Sequence, residues 1–180
     1  MAMHPFAIAL LAGGRSSRMG EPKHAVRMPD GRTMSDHVLD QCVRVCDTIV
    51  VAGPHDTLQQ HTCIPDNTPW TGHGPLAGVE AVLASGIAAR WLIVPCDMPW
   101  LTADVLQSMR HHDATGVVCI DKAGPLPMRI DTAMIGEVRS ALEREQLALR
   151  SLPCVVHAHR LAICDESIIR DIDRPDQLPQ

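Results

Sequence analysis

The sequence predicts an α/β fold with a mostly parallel sheet, and two observations support this prediction. Short apolar runs alternate with longer segments whose apolar residues recur at helical spacing, and this alternation continues almost to the last residues. No internal repeat, low-complexity tract or linker interrupts the pattern. A chain of 180 residues is long enough for one well-packed core and short for two, so we expect a single domain over residues 1–180.

The first third of the chain predicts a strand, a helix and a second strand. Residues 6–11 form an apolar run that ends in a glycine pair, as a buried strand does where it opens into a loop. Ser35 is placed to cap a helix with apolar residues at helical spacing, and residues 48–52 form the next strand. In the long segment between the two strands, Asp30-Gly31 is a hairpin-turn signal. Such a unit is typical of a right-handed crossover between parallel strands.

Helices and strands alternate in the same way through the remainder of the chain. We predict helices over residues 76–85, 102–111 and 132–145, and strands over residues 91–94, 116–120, 126–130 and 154–159. Ligands of open α/β sheets bind at the carboxyl ends of the strands. Two polar stretches are expected there, the glycine-rich loop after the first strand and the aspartate of WLIVPCDMP.

Composition and charge exclude several classes of protein. Hydrophobic residues make up 46% of the chain, and no apolar run approaches the ~18 residues that span a membrane. The apolar start lacks the basic region of a signal peptide. The net charge of −5 argues against a nucleic-acid-binding surface, and an odd number of cysteines, seven, favours a reducing compartment. We therefore expect a cytoplasmic protein that binds neither nucleic acid nor membrane.

The glycine-rich stretch LLAGGRSSRMGEPK, residues 10–23, contrasts with this acidic background. Residues 12–35 carry five cations and two acids, a local charge of +3. The stretch is not a Walker A loop, since Lys23 lacks a following Ser or Thr, and not a G-x-G-x-x-G fingerprint, since Gly13 and Gly14 are adjacent. From composition alone, a phosphate-binding loop and a mobile basic surface loop remain equally open alternatives.

The same stretch resembles the signature of the molybdenum-cofactor guanylyltransferases and related nucleotidyltransferases, Leu-Ala-Gly-Gly-x-Ser-x-Arg-Met-Gly followed shortly by Lys. Three further stretches are similar to that family in the same order: GPLAGV at 74–79, VPCDMPWL at 94–101 and RDIDRPDQL at 170–178. The resemblance covers essentially the whole chain. It implies a three-layer α/β/α sandwich with a Rossmann-like nucleotidyltransferase fold.

The resemblance also implies the reaction, which is transfer of GMP from GTP to the phosphate of molybdopterin, with release of pyrophosphate and with Mg²⁺ as cofactor. GTP and the molybdopterin cofactor would be the small-molecule substrates, and proteins of molybdoenzyme maturation are candidate partners. This chemistry brings a phosphate dianion to a triphosphate. The site therefore needs cations and in-line positioning more than a strong base.

By resemblance, the nucleotide is held by the glycine-rich loop and by two later positions. These residues are Leu11, Ala12, Gly13, Gly14, Lys23, Asp66, Gly74 and Asp97. For Asp66, an Asx-turn role is the alternative. Gly78 is expected near a helix start whose exposed amides attract anions.

The implied catalytic residues are two cations and one acid. Arg18 and Lys23 would hold the triphosphate and stabilise the leaving pyrophosphate, and Asp97 would bind Mg²⁺. Ordinary alternatives are a solvated surface lysine and a turn aspartate. Arg129 and Arg150 are candidates to contact the second substrate, with a surface salt bridge as the alternative for Arg150.

The C-terminal motif departs from the guanylyltransferase pattern, which has an Asn pair where this chain has Asp171 and Asp173. Asp173 is the implied second metal ligand, although two carboxylates near a triphosphate add repulsion without the metal. The acidic residues at these positions resemble the corresponding motif of related cytidylyltransferases. CMP transfer to the same cofactor or to another small phosphorylated acceptor is therefore one alternative. A non-catalytic nucleotide-binding regulatory module is the other.

Overall fold

The computed structural model describes residues 3–12, 21–53, 58, 60–146 and 148–179. The strands are β1 (Ala7–Leu11), β2 (Ile49–Ala52), β3 (Thr62–Ile64), β4 (Arg90–Pro95), β5 (Val117–Ile120), β6 (Met128–Asp131) and β7 (His159–Leu161). The helices are α1 (Met34–Cys42), α2 (Pro75–Ala84), α3 (Ala103–Arg110), α4 (Ile135–Glu143) and α5 (Leu152–Val155). The strands form one sheet in the order β3-β2-β1-β4-β6-β5-β7.

The sheet is mostly parallel, as predicted, with β6 as the exception. β6 pairs antiparallel with both β4 and β5, whereas the other pairings are parallel. Only residues 121–127 join β5 to β6. Seven residues are too few for the crossover that a parallel connection requires, so the chain turns back directly.

Helices cover both faces of the sheet, which confirms the predicted three-layer arrangement. In β1, Ala7, Ala9 and Leu11 pack in the core shared with α2 and α4, and Ile8 and Leu10 pack in the core shared with α1 and α3. Because successive side chains of a strand point to opposite faces, a strand covered on both sides is apolar throughout. This explains why the first strand was recognisable as an unbroken apolar run.

Helix α1 begins at a different residue from the one predicted. Thr33 is the N-cap: its side-chain oxygen accepts from the N–H of Asp36 at 3.1 Å, and its own N–H donates to Asp36 Oδ2 at 2.8 Å. This reciprocal capping box satisfies two backbone donors at the helix start. The prediction of Ser35 as the cap is therefore wrong. Ser35 lies inside the helix, fully buried, and its hydroxyl donates to the carbonyl of His24.

The hairpin-turn signal before α1 corresponds to an ordered turn. Arg27 and Thr33 form an antiparallel bridge, and Gly31 has φ +84° and donates its N–H to the carbonyl of Met28 at 2.9 Å. A positive φ of this kind is the conformation that glycine adopts without steric cost. Part of the long segment between β1 and α1 is therefore regular.

Two elements near the sheet edges differ from the sequence prediction. The strand expected over residues 154–159 is wrong: the run LPCV forms α5, and β7 follows it. Short apolar runs fit a strand and a helix equally well, and Pro153 is tolerated in a first helical turn. The edge strand β3 has three residues and was not predicted.

In the part of the chain that the structure describes, no helix is long and apolar enough to cross a membrane.

Candidate functional site

The carboxyl ends of β1 and β4 lie side by side at the point where the strand order reverses. Leu11 pairs with Pro95 in the last register position, and Ala12 continues along β2 by donating its N–H to the carbonyl of Ala52 at 3.1 Å. Asp97 follows two residues after β4 ends. The crevice at such a reversal is where open α/β sheets bind their ligands. Leu11, Ala12 and Asp97 therefore share the edge predicted for the site.

Lys23 brings two acidic segments together at this edge. Its ammonium Nζ donates to Asp97 Oδ2 at 2.6 Å and also contacts Asp173 Oδ1. The side chains of Lys23, Asp97 and Asp173 are 24%, 17% and 41% exposed, respectively, so Asp97 is the most buried of them. One ammonium thus lies between carboxylates that belong to the end of β4 and to the C-terminal segment.

Burial and ion pairing compete in this cluster. Burial disfavours the charged form of Lys23, but the hydrogen bonds that it donates to Asp173 and Asp97, with the charges of these carboxylates, outweigh burial and raise the pKa of the lysine. Burial raises the pKa of Asp97, Lys23 offsets this only in part, and the charges of Asp171 and Asp173 add to the rise. Both pKa values are raised, for different reasons. Lys23 has two anionic partners that stabilise its charge, whereas Asp97 shares one cation with its acidic neighbours. The cluster is therefore suited to a further cation.

Asp173 is held in place by the residues on either side of it. The fully buried side chain of Ile172 packs in a small cluster with Val26 and Met34, and its N–H donates to the carbonyl of Asp97 at 2.9 Å. Gln177 Oε1 accepts from the N–H of Asp173 at 2.7 Å. The C-terminal segment is thereby attached to the end of β4.

Asp66 and Gly74 belong to the loop that leads from β3 into α2. Gly74 is the residue before the helix, with φ +77°, and Pro75 opens the first turn, where its missing N–H costs no hydrogen bond. Asp66 Oδ2 accepts from the N–H of Gly72 at 2.9 Å. The turn-forming role that was the alternative for Asp66 is thus present in the structure, and it orients the carboxylate on this loop.

Gly78 lies near the start of α2, as predicted, and it has a packing role there. It is buried in α2, and a Cβ built there would lie 3.0 Å from Leu11 Cδ1, 3.6 Å from Ala52 Cβ and 3.8 Å from Asp66 Oδ1. A side chain at this position would crowd the Leu11 methyl, which would have to shift by a few tenths of an ångström. The glycine therefore lets α2 approach the ligand-binding edge closely.

The structure places one of the two predicted second-substrate arginines, Arg129, away from this edge. Arg129 is completely buried in β6, and its guanidinium donates to the carbonyls of His112 and Ala114, in the segment that leads into β5 at the opposite edge of the sheet. Its predicted substrate contact is wrong, because the side chain satisfies backbone carbonyls in the core. Arg150 is exposed in a 3-10 turn after α4.

A cleft of about 420 Å³ adjoins Asp97 on the β5 side. Its lining includes Asp97, Met98, Lys122, Leu126, Arg170 and Asp171. Lys122 Nζ pairs with Glu166 Oε1 at 2.8 Å, and the Arg170 guanidinium lies 5.6 Å from the centre of the Trp100 ring. Lys122 and Arg170 were not predicted as site residues from the sequence. The available signal was the loop DKAGPL, which follows a predicted strand and so belongs at the same edge.

Three predicted residues, Gly13, Gly14 and Arg18, lie outside the described residues. Within the described ranges, no group of three or more His, Cys, Asp or Glu side chains is arranged to hold a metal ion. The candidate oxygen ligands at the site are the carboxylates of Asp97 and Asp173, which contact Lys23. Hard cations such as Mg²⁺ bind to oxygens of this kind.

Residues 8–160 match the sequence profile of the MobA-like NTP transferase domain. The chain belongs to this family. It is thus a nucleotidyltransferase of the MobA-like type, as the four motifs indicated. A probable molybdenum cofactor guanylyltransferase of Bacillus cereus is 29% identical over 161 residues, which cover 83% of this chain and 80% of the relative. Its counterpart in Bacillus anthracis has the same identity and coverage.

Solved structures of other nucleotidyltransferases share this fold. Molybdopterin-guanine dinucleotide biosynthesis protein A from Archaeoglobus fulgidus superposes with a TM-score of 0.76 at 19% identity, over 96% of this chain and 94% of that one. The 2-C-methyl-D-erythritol 4-phosphate cytidylyltransferase of Thermus thermophilus superposes with a TM-score of 0.66 at 15% identity, over 94% of each chain. The nucleotidyltransferase fold of this MobA-like protein is therefore confirmed.

Proposed function

We propose that this MobA-like NTP transferase transfers GMP from GTP to the terminal phosphate of molybdopterin. An oxygen of that phosphate attacks the α-phosphorus of GTP, the bond from the α-phosphorus to the β-phosphate bridge breaks, and pyrophosphate leaves. The observation that carries the proposal is the convergence of Lys23, Asp97 and Asp173 at the reversal point of the sheet. A site that combines one ammonium with two carboxylates is suited to a polyphosphate that arrives with a divalent cation.

In this proposal Lys23 has the main catalytic role among the described residues. Its compact ammonium would leave the carboxylates for the triphosphate and would stabilise the charge that develops on the leaving pyrophosphate. The chain contains two lysines against fourteen arginines, so a lysine in this position is a specific choice in an arginine-rich sequence. Arg18, which precedes it in the same loop, is proposed to share this role.

Asp97 and Asp173 are the proposed ligands of Mg²⁺. They fit the ion because their oxygens already contact a common cation, Lys23 Nζ, and because Mg²⁺ is usually held by one or two carboxylates together with phosphates and water. When bound, the ion would neutralise phosphate charge and orient the triphosphate. The largely buried Asp97 would regain a full countercharge once Lys23 has moved to the nucleotide.

The nucleotide and the acceptor would occupy opposite sides of Asp97. The loop of Asp66 and Gly74 is proposed to face the guanosine, and the backbone of Leu11 and Ala12 to face the phosphates. The cleft beside Asp97 on the β5 side would receive molybdopterin. This arrangement lets the acceptor phosphate approach the α-phosphorus from the side away from the leaving group, as in-line transfer requires.

Transfer of CMP is the second candidate function. The acidic pair Asp171 and Asp173 favours it, because this pattern departs from the Asn pair of the guanylyltransferases. The similarity to guanylyltransferases of Bacillus favours GTP. A regulatory module without catalysis would have no need of the clustered Lys23 and Asp97.

The test is a product assay with each nucleotide. The protein is incubated with molybdopterin, Mg²⁺ and either GTP, CTP or ATP, and both pyrophosphate and the dinucleotide mass are measured. We expect a GMP adduct with GTP, and loss of that product in Asp97→Asn. Asp113→Asn, an exposed acid in the loop before β5, is the matched control and retains activity. A CMP adduct would establish the second candidate, and no product with any nucleotide would favour the regulatory module.

A further inference from the structure

Glu80 is a completely buried carboxylate that the proposed reaction does not use. It lies in α2 with 0% exposure, and its neighbours are polar groups of two other parts of the chain. Removing a carboxylate from water is costly unless hydrogen bonds and a countercharge replace the water. Hydrogen-bond donors and a countercharge are therefore expected around Glu80.

One partner belongs to the loop of residues 65–74. Asn67 Nδ2 donates to Glu80 Oε2 at 2.9 Å. Within the loop, the N–H of Trp70 donates to the carbonyl of Asn67 at 2.8 Å, and the N–H of His73 donates to the carbonyl of Trp70 at 2.9 Å. The exposed residue Asn67 thus joins a buried anion to the backbone turns that precede α2.

The second partner comes from the neighbouring helix. Arg139 of α4 donates from Nε and Nη2 to Glu80 Oε1, at 2.9 and 2.8 Å. Its guanidinium lies 5.8 Å from the centre of the Trp70 ring, so it also contacts the loop. Glu80, Arg139, Asn67 and Trp70 therefore form a closed network between α2, α4 and the loop.

We propose that Glu80 is a positioning residue for the nucleotide, acting through Asn67 and Arg139 on the loop of residues 65–74. The inference rests on the proposed function, which sets Asp66 and Gly74 of this loop against the nucleoside. A loop that is ordered before the nucleotide arrives loses less conformational entropy on binding. The network thus contributes to nucleotide affinity and leaves the rate of phosphoryl transfer unchanged.

The test begins with two substitutions of Asn67. Asn67→Ala removes the link between the loop and the buried anion, and Asn67→Asp sets a second carboxylate against Glu80. We expect Asn67→Ala to raise the Kd and KM of the accepted nucleotide about tenfold while kcat stays within about twofold, which corresponds to roughly 1.4 kcal/mol of lost binding free energy. Asn67→Asp should weaken binding further. Hydrogen exchange at the Gly72 and His73 amides should be faster in both free variants.

A reversal of donor and acceptor provides the rescue. In Glu80→Gln combined with Asn67→Asp, the amide of the new side chain at position 80 can donate to the new carboxylate at position 67, while its oxygen still accepts from Arg139. We expect this double variant to recover nucleotide affinity to within about threefold of the original, because the link to the loop is restored. A residue that served only the stability of α2 would show no such recovery in Kd.

Arg90→Met is the stability control. Arg90 pairs with Asp131 at 2.8 Å at the start of β4, far along the strand from the ligand-binding edge. The Arg90→Met variant should have a lower melting temperature and an unchanged nucleotide affinity. Unchanged Kd values in both Asn67 variants, or no rescue in the double variant, would overturn the positioning role. If the unsubstituted protein binds none of GTP, CTP and ATP, the proposed function fails as well, and the two failures are thereby distinguished.

Discussion

At the scale of single residues, Lys23 is the group on which the site depends. In the structure its ammonium neutralises two carboxylates, and in the proposed reaction it must neutralise phosphate oxygens instead. These two tasks compete, so binding of the nucleotide and of a divalent cation should be coupled. A cation at Asp97 and Asp173 would release the lysine, and the triphosphate would receive it.

Replacing Lys23 by Met separates these tasks. We expect Lys23→Met to lower kcat about 10²- to 10³-fold, the usual cost of removing one group that stabilises developing charge, with a smaller change in KM. The free variant should melt at a lower temperature, because Asp97 then faces Asp173 without a countercharge, and Mg²⁺ should restore part of that loss. Pyrophosphate release and thermal melting with and without Mg²⁺ measure both effects. Exposed Arg144→Met is the control, and a kcat that stays close to the original would contradict the role of Lys23.

The residues of the site differ in how far sequence could predict them. Lys23 and Asp97 could be selected because each lies in a stretch that follows an apolar strand and resembles a motif of the family. Arg129 was selected for its charge, but its contacts are carbonyls of the segment before β5, and no local pattern encodes that long-range pairing. Glu80 lies in an apolar helix, and its partners Asn67 and Arg139 are 13 and 59 positions away. Such a network becomes visible only when the elements are packed.

At the scale of elements, the C-terminal segment brings Asp173 to the site, and its most buried apolar anchor is Ile172. Ile172 is completely buried against residues 26–34, while Asp171 on one side is exposed and Asp173 on the other is partly exposed. This segment has no strand pairing to fix it. The position of Asp173 therefore depends on the packing of Ile172, together with the hydrogen bond that the N–H of Asp173 donates to Gln177.

Removing that anchor tests this dependence. Ile172→Ala should destabilise the fold by about 2–4 kcal/mol, as expected for a buried Ile truncated to Ala. It should also lower kcat/KM by more than the stability loss explains, because Asp173 is no longer held beside Lys23. Leu142→Ala, a buried residue of α4 on the other face of the sheet, is the control with a similar stability loss. Equal kcat/KM values for the two variants would refute the anchoring role.

Strands that are buried on both faces of the sheet could be predicted from the sequence. β1 and β4 are covered on both faces, and the unbroken apolar sequence of β1 and of β4 after Arg90 follows from this. α5 and β7 were not separated, because the apolar run LPCVV fits either conformation and tertiary packing decides between them. β3 has three residues at the edge of the sheet, too few to show a period. The start of α1 was misassigned because Thr33 and Ser35 are both competent caps.

At the scale of the whole molecule, nucleotide binding should appear as stabilisation of the fold. A ligand present at about 100 times its Kd adds about 2.7 kcal/mol, which for a chain of this size raises the melting temperature by roughly 5–10 °C. We expect the largest rise with GTP and Mg²⁺, and smaller rises with CTP or ATP at the same concentration. Thermal melting of the intact protein measures this. A larger rise with CTP would favour the cytidylyltransferase alternative, and no rise with any nucleotide would contradict binding at this site.

The pairing of Lys23 with Asp173 joins positions that are 150 residues apart in the chain. During synthesis, β1 can pair with β2 and β4 long before residue 173 has been made. A growing chain therefore acquires most of its sheet while its lysine has Asp97 as a partner but not yet Asp173. Completion of the acidic pair is therefore a late event of biogenesis, and in the proposed mechanism activity would begin only after residue 173 has left the ribosome.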